Sequence, residues 1–316
     1  MNDILPRKSI LITGGAGFIG ANLIRELLRL NYKVNLILKK SSDLWRIKDI
    51  LNKVKIHHAD LLNKKKLTKI VSKINPNFII HLATYSGYRN QADVEEMIDV
   101  NIKETLNLLL ASKNVNYNLL INTGSSSEYG IKEKPMKEDS LLEPISFYAA
   151  TKSSATLLCQ VFAKEYKKPI VTLRPFSVYG PYEEEKRFIP TIIKAVLKNK
   201  SIKITPGNQR RDFIYIKDVV DIYIKALSYG KKLSCQILNV GTGIEKTNDE
   251  VVCILLKLTG KKVRIEKGAF PKRLWDTQHW VSDISKTQKL LRCKPKFSLE
   301  KGLWKTYKWY LKLYEK

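Results

Sequence analysis

The fold is decided by the stretch SILITGGAGFIG, residues 9–20. Its first five residues form a short apolar run typical of a buried strand, and the apolar residues from Phe18 onward recur at helical spacing. Three glycines lie at the turn between them. A turn without Cβ atoms lets a pyrophosphate approach the backbone, and the N-terminus of the next helix attracts its charge. The stretch predicts a dinucleotide-binding unit whose contact residues are Gly14, Gly17, Phe18, Ile19 and Gly20.

Apolar runs continue along the chain, separated by segments long enough for helices. They lie at 33–38, 54–58, 78–82, 117–121 and 169–173. This alternation is typical of βαβ units, so we expect an α/β fold with a Rossmann-type, doubly wound parallel sheet. The longest intervening helices are predicted near 92–113 and 147–166, as neighbours on one face.

The regular alternation breaks after residue 176, which predicts a smaller C-terminal substrate lobe. We expect residues 1–176 plus about 207–240 to form the dinucleotide-binding domain, and about 177–206 plus 241–316 the lobe. Predicted lobe elements are helices near 187–199, 247–258 and 299–313. The last carries an aromatic stripe at helical spacing that is typical of core packing.

Composition excludes several classes of protein. The 316 residues include 57 Lys and Arg against 30 Asp and Glu, which gives a net charge of +27. Because the basic residues are scattered along the chain, we expect a lysine-rich surface and no nucleic-acid face. The four cysteines form no CxxC pair and the four histidines show no metal-ligand spacing, which predicts a reduced protein without a metal. No apolar run reaches membrane-spanning length and the N-terminus lacks a signal-peptide pattern, so we expect a soluble, cytoplasmic protein.

The end of the second predicted strand bears on the choice of cofactor. An acidic residue there would bind the adenosine ribose and repel a 2′-phosphate, but this chain has Lys39 and Lys40. Two ammonium groups favour NADP(H), with NAD(H) as the alternative if they are only surface charge. Asp60, after the third strand, is placed either to accept a hydrogen bond from the adenine amino group or to cap the next helix.

Acid–base chemistry is indicated by Tyr148-Ala149-Ala150-Thr151-Lys152, which opens a predicted long helix. Residues four apart share a helix face, so the ammonium of Lys152 would stabilise a Tyr148 phenolate and give a general base. Upstream, the polar segment 122–130 follows a strand and should reach the carboxyl edge of the sheet with its serines.

With these motifs the chain resembles an extended short-chain dehydrogenase/reductase of the nucleotide-sugar epimerase/dehydratase family over essentially its full length. The resemblance is carried by GGAGFIG (14–20), HLAT (81–84), DVNIKET (99–105), SSSEYG (125–130), YAATK (148–152), LRPFSVYGP (173–181), RRDFIYIKDVVD (210–221), NVGTG (239–243) and WDTQHWVSDISK (275–286). It implies NAD(P)-dependent chemistry on a nucleoside-diphosphate sugar. It also implies a homodimer formed by the helices near 92–113 and 147–166.

The resemblance assigns roles to individual residues. Tyr148 would be the catalytic base, Lys152 its pKa-lowering and ribose-binding partner, Ser125 the hydroxyl that bonds the reacting sugar oxygen, and Asn101 the helix asparagine of the active site. Further implied cofactor contacts are Asp60, Leu61, Leu82 and Ala83. Implied substrate contacts are Thr84, Ser126, Ser177, Arg211 and Arg273, the two arginines as ligands of the diphosphate.

Two departures from the family pattern bear on which reaction the chain catalyses and how it contacts its substrate. Dehydratases of the family carry acidic residues after the reactive hydroxyl, where this chain has Ser126 and Ser127, so 4,6-dehydration is disfavoured. Ser177 replaces a common asparagine of the substrate site. The serine-rich loop and the basic end of the second strand resemble those of NADPH-using ketoreductases, and this resemblance favours a 4-ketoreductase of a nucleoside-diphosphate deoxyhexose. The alternatives are a 4-epimerase that retains its cofactor and, in another class, a non-catalytic member that binds a dinucleotide or RNA.

Overall fold

The predicted apolar runs form the strands of one sheet, and the C-terminal half adds short strands of its own. In this computed structural model, which describes residues 8–85, 93–270 and 278–315, the strands are β1 (Ser9–Thr13), β2 (Lys33–Leu38), β3 (Lys55–His58), β4 (Phe78–His81), β5 (Leu119–Thr123), β6 (Ile170–Pro175), β7 (Ser177–Tyr179), β8 (Ile202–Lys203), β9 (Arg210–Tyr215), β10 (Ile237–Val240), β11 (Glu245–Thr247) and β12 (Ile265–Glu266).

The central sheet has seven strands in the order β10-β6-β5-β4-β1-β2-β3, and its registered pairs run parallel. This confirms the Rossmann-type α/β fold. The chain reverses its direction of winding between β1 and β4, which is where such sheets bind ligands at the carboxyl ends of their strands.

The helices lie close to their predicted positions. They are α1 (Phe18–Arg29), α2 (Lys64–Ile74), α3 (Val94–Ile98), α4 (Glu104–Ser112), α5 (Phe147–Glu165), α6 (Phe188–Leu197), α7 (Ile216–Tyr229), α8 (Asn248–Thr259), α9 (Ser285–Leu291) and α10 (Leu299–Tyr314). The helix expected near 92–113 is divided, because a π-helical turn at Asp99–Lys103 separates α3 from α4. Such turns are frequent at functional sites.

One predicted strand is displaced toward the C-terminus. The run expected at 117–121 forms a strand at Leu119–Thr123, although its apolar residues end at Ile121. The strand continues because its polar side chains find partners. Asn122 donates to the Thr172 hydroxyl at 3.2 Å, and the Thr123 hydroxyl lies 2.8 Å from that of Tyr223.

The chain divides into two compact units. The first comprises the chain up to Glu128 with Ser146–Arg174 and Tyr223–Leu238, and the second comprises Tyr129–Ile145, Pro175–Ile222 and the chain from Asn239. In the first unit, buried apolar residues of the sheet, such as Leu11 and Leu120, pack with those of α2, α4 and α5. The functional division at the bounds given above stays a prediction.

The second unit contains a small mixed sheet, in which β9 pairs parallel with β7 and antiparallel with β11. Helix α8 begins with a capping box formed by Thr247 and Glu250. The predicted aromatic stripe of α10 packs in the core, with Tyr307 and Tyr310 buried. Asp212 is fully buried on β9 and accepts hydrogen bonds from the loop at 242–243 and from Ser282.

A buried carboxyl group makes the second unit sensitive to pH. Burial raises the pKa of Glu183 to about 8, against the opposing charge of Arg187. The folded state therefore keeps a proton that the unfolded state releases near its ordinary pKa. Stability is greatest below the unfolded-state pKa and falls as the pH rises toward 8.

We expect the free energy of unfolding, measured with urea, to fall between pH 5.5 and 7.5 by about 2 kcal/mol more in the wild type than in Glu183→Gln. Glu133→Gln, which changes an exposed carboxylate of the same unit, is the matched control and should behave like the wild type. The same pH dependence in wild type and Glu183→Gln would show that Glu183 does not titrate in this range.

Candidate active site

The glycine turn brings two strand ends together. Gly14 has a φ of +68°, and a Cβ there would lie 2.4 Å from the Ala83 amide nitrogen and 2.7 Å from the Leu82 carbonyl oxygen. A Cβ on Gly20 would lie 2.6 Å from the Gly15 carbonyl oxygen. Only glycine fits these two positions, so the turn closes tightly between β1, β4 and α1.

The turn has the features of a pyrophosphate cradle. Gly17 is the N-cap of α1 and, lacking a side chain, places no cap over the first N–H groups of the helix. Those groups and the helix dipole favour an anion. Phe18 and Ile19 form the first turn of α1, and Leu82 and Ala83 follow β4 at the same edge of the sheet. These residues fit the phosphate end of a dinucleotide.

Lys39 follows β2, as predicted, but it is engaged in ion pairs. Its ammonium lies 3.0 Å from Glu104 and 3.4 Å from Asp60. Burial would lower the pKa of Lys39, but the hydrogen bond and charge of Glu104 and the charge of Asp60 outweigh burial and raise it. Lys40 is exposed. Of the two ammonium groups expected to favour NADP(H), that of Lys39 is therefore already paired with two carboxylates.

Asp60 does not cap the helix that follows it, so that alternative is wrong. The N-cap of α2 is Asn63, which accepts from the Lys66 amide at 3.0 Å. Asp60 accepts from the Leu62 amide at 2.8 Å, which fixes the loop after β3. Its side chain is 46% exposed and stays accessible to a ligand.

A buried chain of hydrogen bonds ties the strand ends to the helix at 99–112. The Thr105 hydroxyl donates to the Asn101 carbonyl at 2.7 Å, so it must accept from His81 Nε2, 2.9 Å away. His81 Nδ1 is then unprotonated and accepts from the Thr13 hydroxyl at 2.6 Å. Burial, together with the charge of Lys152, lowers the pKa of His81 to about 3. His81 is therefore a neutral connector between β1, β4 and the helix.

Asn101 lies in the π-helical turn and is 1% exposed. Its side-chain oxygen accepts from the Thr84 hydroxyl at 3.0 Å and the Tyr85 amide at 2.8 Å. Its amide donates to the Tyr85 carbonyl and to the Thr151 hydroxyl, both at 3.0 Å. Asn101 therefore clamps the segment after β4 onto the YAATK turn of α5, which makes it a positioning residue.

The loop of Ser125 is fixed by an ion pair that sequence reasoning missed. Glu128 and Arg174 are almost completely buried, and Arg174 contacts Glu128 Oε2 at 2.8 Å. Glu128 Oε1 accepts from the Ser125 amide at 2.7 Å. Burial raises the pKa of Glu128, although the charge of Arg174 and the bond from Ser125 oppose it. Ser126, 6% exposed, begins the short helix after Ser125.

Tyr148 and Lys152 lie one turn apart at the start of α5. Ser146 caps this helix by accepting from the Ala149 amide at 3.1 Å. Tyr148 is half-buried and Lys152 is 4% exposed. Burial lowers the pKa of Lys152, and the charge of Glu128 opposes the shift. The lysine thus places a buried amino group on the helix face that it shares with the phenol.

The predicted cofactor and acid–base residues all belong to the first unit, while the predicted diphosphate ligands do not. Ser177 opens β7 and Arg211 lies on β9, both in the second unit, where the Arg211 guanidinium sits 5.3 Å from the Trp280 ring centroid. Arg273 lies outside the described residues. A cavity of about 550 Å³ in this unit is lined by Asn208, Arg210, Glu245, Thr247, Gln278 and His279.

In residues 8–85, 93–270 and 278–315, no three His, Cys, Asp or Glu side chains are grouped to hold a metal ion. Over the same ranges, no helix is long and apolar enough to cross a lipid bilayer.

Comparison with known proteins gives one consistent result. The model of the NAD dependent epimerase/dehydratase family matches residues 10–241. A UDP-glucuronate 4-epimerase of Thermodesulfobacterium geofontis is 35% identical over 95% of each chain. The crystal structure of a UDP-glucuronic acid 4-epimerase from Bacillus cereus, in complex with UDP-glucuronic acid and NAD, is 31% identical with a TM-score of 0.88 and covers 97% of this chain and 100% of that one. A UDP-N-acetylglucosamine 4-epimerase from Methanobrevibacter ruminantium, in complex with UDP-N-acetylmuramic acid, is 29% identical with a TM-score of 0.88 and covers 98% and 100%.

Removing one charge of the buried Glu128–Arg174 pair should strongly destabilise the fold. In Glu128→Gln the Arg174 guanidinium stays buried without its carboxylate, a change that typically costs about 3–5 kcal/mol. Asp49→Asn removes the exposed partner of Arg25 and should cost less than about 1 kcal/mol. Urea unfolding measures both. Equal losses would mean that the buried pair does no more for stability than a surface pair.

Proposed function

The chain belongs to the NAD dependent epimerase/dehydratase family, and we propose that it is a nucleotide-sugar 4-epimerase. The observation that carries the proposal is the pairing of Tyr148 with buried Lys152 on α5, in a chain 35% identical to a UDP-glucuronate 4-epimerase over 95% of its length. The proposed substrate is a UDP-sugar with a hydroxyl at carbon 4.

The reaction balances without an external reductant. The C4–H bond breaks with its electron pair and the O4 proton leaves to a base, which gives a 4-keto sugar. Return of the hydride to the opposite face, and of the proton to O4, gives the epimer. When bound, the nicotinamide cofactor supplies the hydride acceptor and donor that this cycle needs.

The residues of the first unit provide the proton chemistry. Tyr148, as phenolate, takes the proton from O4 and later returns it, so it is both base and acid. The Lys152 cation, one helical turn onward, stabilises the phenolate. The Ser125 hydroxyl, on the loop that Glu128 fixes, donates a hydrogen bond to O4. Asn101 keeps the segment after β4 in register with α5.

Water elimination from the sugar is disfavoured by the same loop. A dehydratase needs an acid and a base beside the reactive hydroxyl, and Ser126 and Ser127 occupy those positions. The nearest carboxylate along the chain, Glu128, is 0% exposed and engaged by Arg174 and the Ser125 amide. It is therefore unsuited to protonate a substrate.

A 4-ketoreductase remains the competing proposal, since it would use the same three residues. The second argument for a ketoreductase is a basic NADP(H) site at the end of β2. That argument is weakened because Lys39 is paired with Glu104 and Asp60. The test is a panel of UDP-glucose, UDP-glucuronic acid and UDP-N-acetylglucosamine without added NAD(P)H. In parallel, a 4-keto sugar nucleotide is supplied together with NADPH. Epimers formed without net cofactor consumption support the epimerase. Stoichiometric NADPH oxidation by the keto sugar supports the reductase, and binding without turnover supports the non-catalytic alternative.

The substrate diphosphate is proposed to meet Arg211, and Arg273 remains a predicted second ligand. A guanidinium donates in a planar fork that matches phosphate oxygens. The four cysteines are thiols outside any disulfide, and these thiols, with the use of a dinucleotide and a nucleotide sugar, fit the cytoplasm, which we keep as the expected location.

Tyr148→Phe keeps the ring and removes the acid–base hydroxyl, so dinucleotide binding should persist while turnover of the identified sugar falls by about a hundredfold or more. Ser125→Ala should lose less, because water replaces part of its hydrogen bond. Tyr229→Phe, the same change at a tyrosine at the end of α7, is the matched control. Near-normal turnover by Tyr148→Phe would overturn the mechanism.

We also propose a homodimer formed by the helices at 94–112 and 147–165. Helix α5 packs against α3 and α4, and large apolar side chains of these helices remain exposed. They include Ile98 and Leu106, each 38% exposed, Leu157 at 51% and Val161 at 60%. A second copy would cover this surface with its own.

Charges at the centre of such an interface should separate the subunits. The variant Leu157→Asp/Val161→Asp is expected to have the mass of one chain by light scattering at micromolar concentration, where the wild type has that of two. Ile131→Asp, at an apolar residue 49% exposed in the second unit, should stay dimeric. A wild type with the mass of one chain would exclude the homodimer.

A further inference from the structure

We propose that Glu104 sets the cofactor preference of this chain toward NAD(H), by supplying from helix α4 the carboxylate that the end of β2 lacks. The inference rests on the proposed function only in requiring that a dinucleotide binds the first unit. It assigns Glu104 a specificity-determining role and gives Lys39 the role of its charge partner.

The position of Lys39 connects Glu104 to the adenosine end of the cofactor. In dinucleotide-binding folds an acidic residue about 20 residues beyond the glycine motif bonds the ribose 2′-hydroxyl, and Lys39 stands at that distance from Gly20. The Lys39 ammonium lies 3.0 Å from Glu104 Oε1. The carboxylate of Glu104 is therefore beside the place where the acid of β2 would lie.

Glu104 is held there by the fold. Its side chain is 2% exposed, while that of Lys39 is 39% exposed. It is the first residue of α4, directly after the π-helical turn that also carries Asn101. Burial raises the pKa of Glu104, and the hydrogen bond and charge of Lys39 oppose the shift. Among the described residues, Lys39 is the only charged partner within 4.0 Å of the Glu104 carboxylate. The buried carboxylate therefore fixes the direction of the Lys39 side chain.

Lys39, Glu104 and Asp60 form one charged cluster, and its charges decide between NAD(H) and NADP(H). Lys39 contributes one positive charge, and Glu104 with Asp60 contributes two negative charges within 3.4 Å of its ammonium. A 2′-phosphate would bring about two further negative charges to a cluster that already carries an excess of one. A ribose 2′-hydroxyl brings no charge, so the buried Glu104 carboxylate does not repel it. The cluster therefore accepts a ribose and repels its phosphate.

The test compares NAD⁺ and NADP⁺ binding to the full chain by isothermal titration calorimetry, after any co-purified dinucleotide has been identified and removed. We expect the wild type to bind NAD⁺ more tightly. Glu104→Gln removes one charge at nearly constant shape and should shift the ratio of the two dissociation constants toward NADP⁺ by at least about tenfold. Glu165→Gln makes the same change at an exposed end of α5 and should leave the ratio within about twofold.

A second variant keeps the test decisive if Glu104→Gln does not fold. Asp60→Asn changes a side chain that is 46% exposed and should shift the ratio in the same direction. A wild type that prefers NADP⁺, or an unchanged ratio in both variants while NAD⁺ still binds, would overturn the role of Glu104 and leave the epimerase proposal intact. A wild type that binds neither dinucleotide would instead overturn the proposed function, and with it this inference.

Discussion

The candidate site depends on how closely the ends of β1 and β4 can approach each other. Gly14 permits that approach, because a Cβ there would lie 2.4 Å from the Ala83 amide nitrogen. Once the two ends meet, Thr13 can reach His81, and His81 can reach Thr105 at the start of α4. A larger residue at position 14 would disturb the cofactor cradle and the buried hydrogen bonds together.

Buried polar groups around this edge are costly unless each is satisfied. Asn101 makes four hydrogen bonds, His81 is kept neutral between two hydroxyls, and Glu128 is paired with Arg174. Replacing buried charged groups by apolar ones of the same shape is often neutral or stabilising in proteins, so stability alone does not account for these groups. What they add is position. Asn101 holds the segment of Thr84 and the turn of Tyr148, and Glu128 holds the loop of Ser125. His81 connects β1 and β4 to helix α4.

Local patterns in the chain predicted the parallel sheet, the glycine turn and the Tyr148–Lys152 pair, because each is encoded by residues close in sequence. The ion pairs were not predictable in the same way. Arg174 is 46 residues from Glu128, and Glu104, on α4, meets Lys39, after β2, only once the chain has folded. The end of β5 was missed for a related reason: Asn122 and Thr123 look like loop residues until their partners Thr172 and Tyr223 are in place.

The pair of Lys39 and Glu104 also shows why the net charge of +27 says little about the site. Exposed lysines are screened by salt over about 8–10 Å, so a surface rich in them does not set the charge inside a groove. The buried Glu104 carboxylate beside the Lys39 ammonium is screened much less, so it has more influence on the local electrostatic potential. An enzyme that returns its hydride to the same sugar needs a cofactor that stays bound through both half-reactions. If Glu104 has the role proposed above, its pairing with Lys39 serves that need, because each side chain holds the other in place.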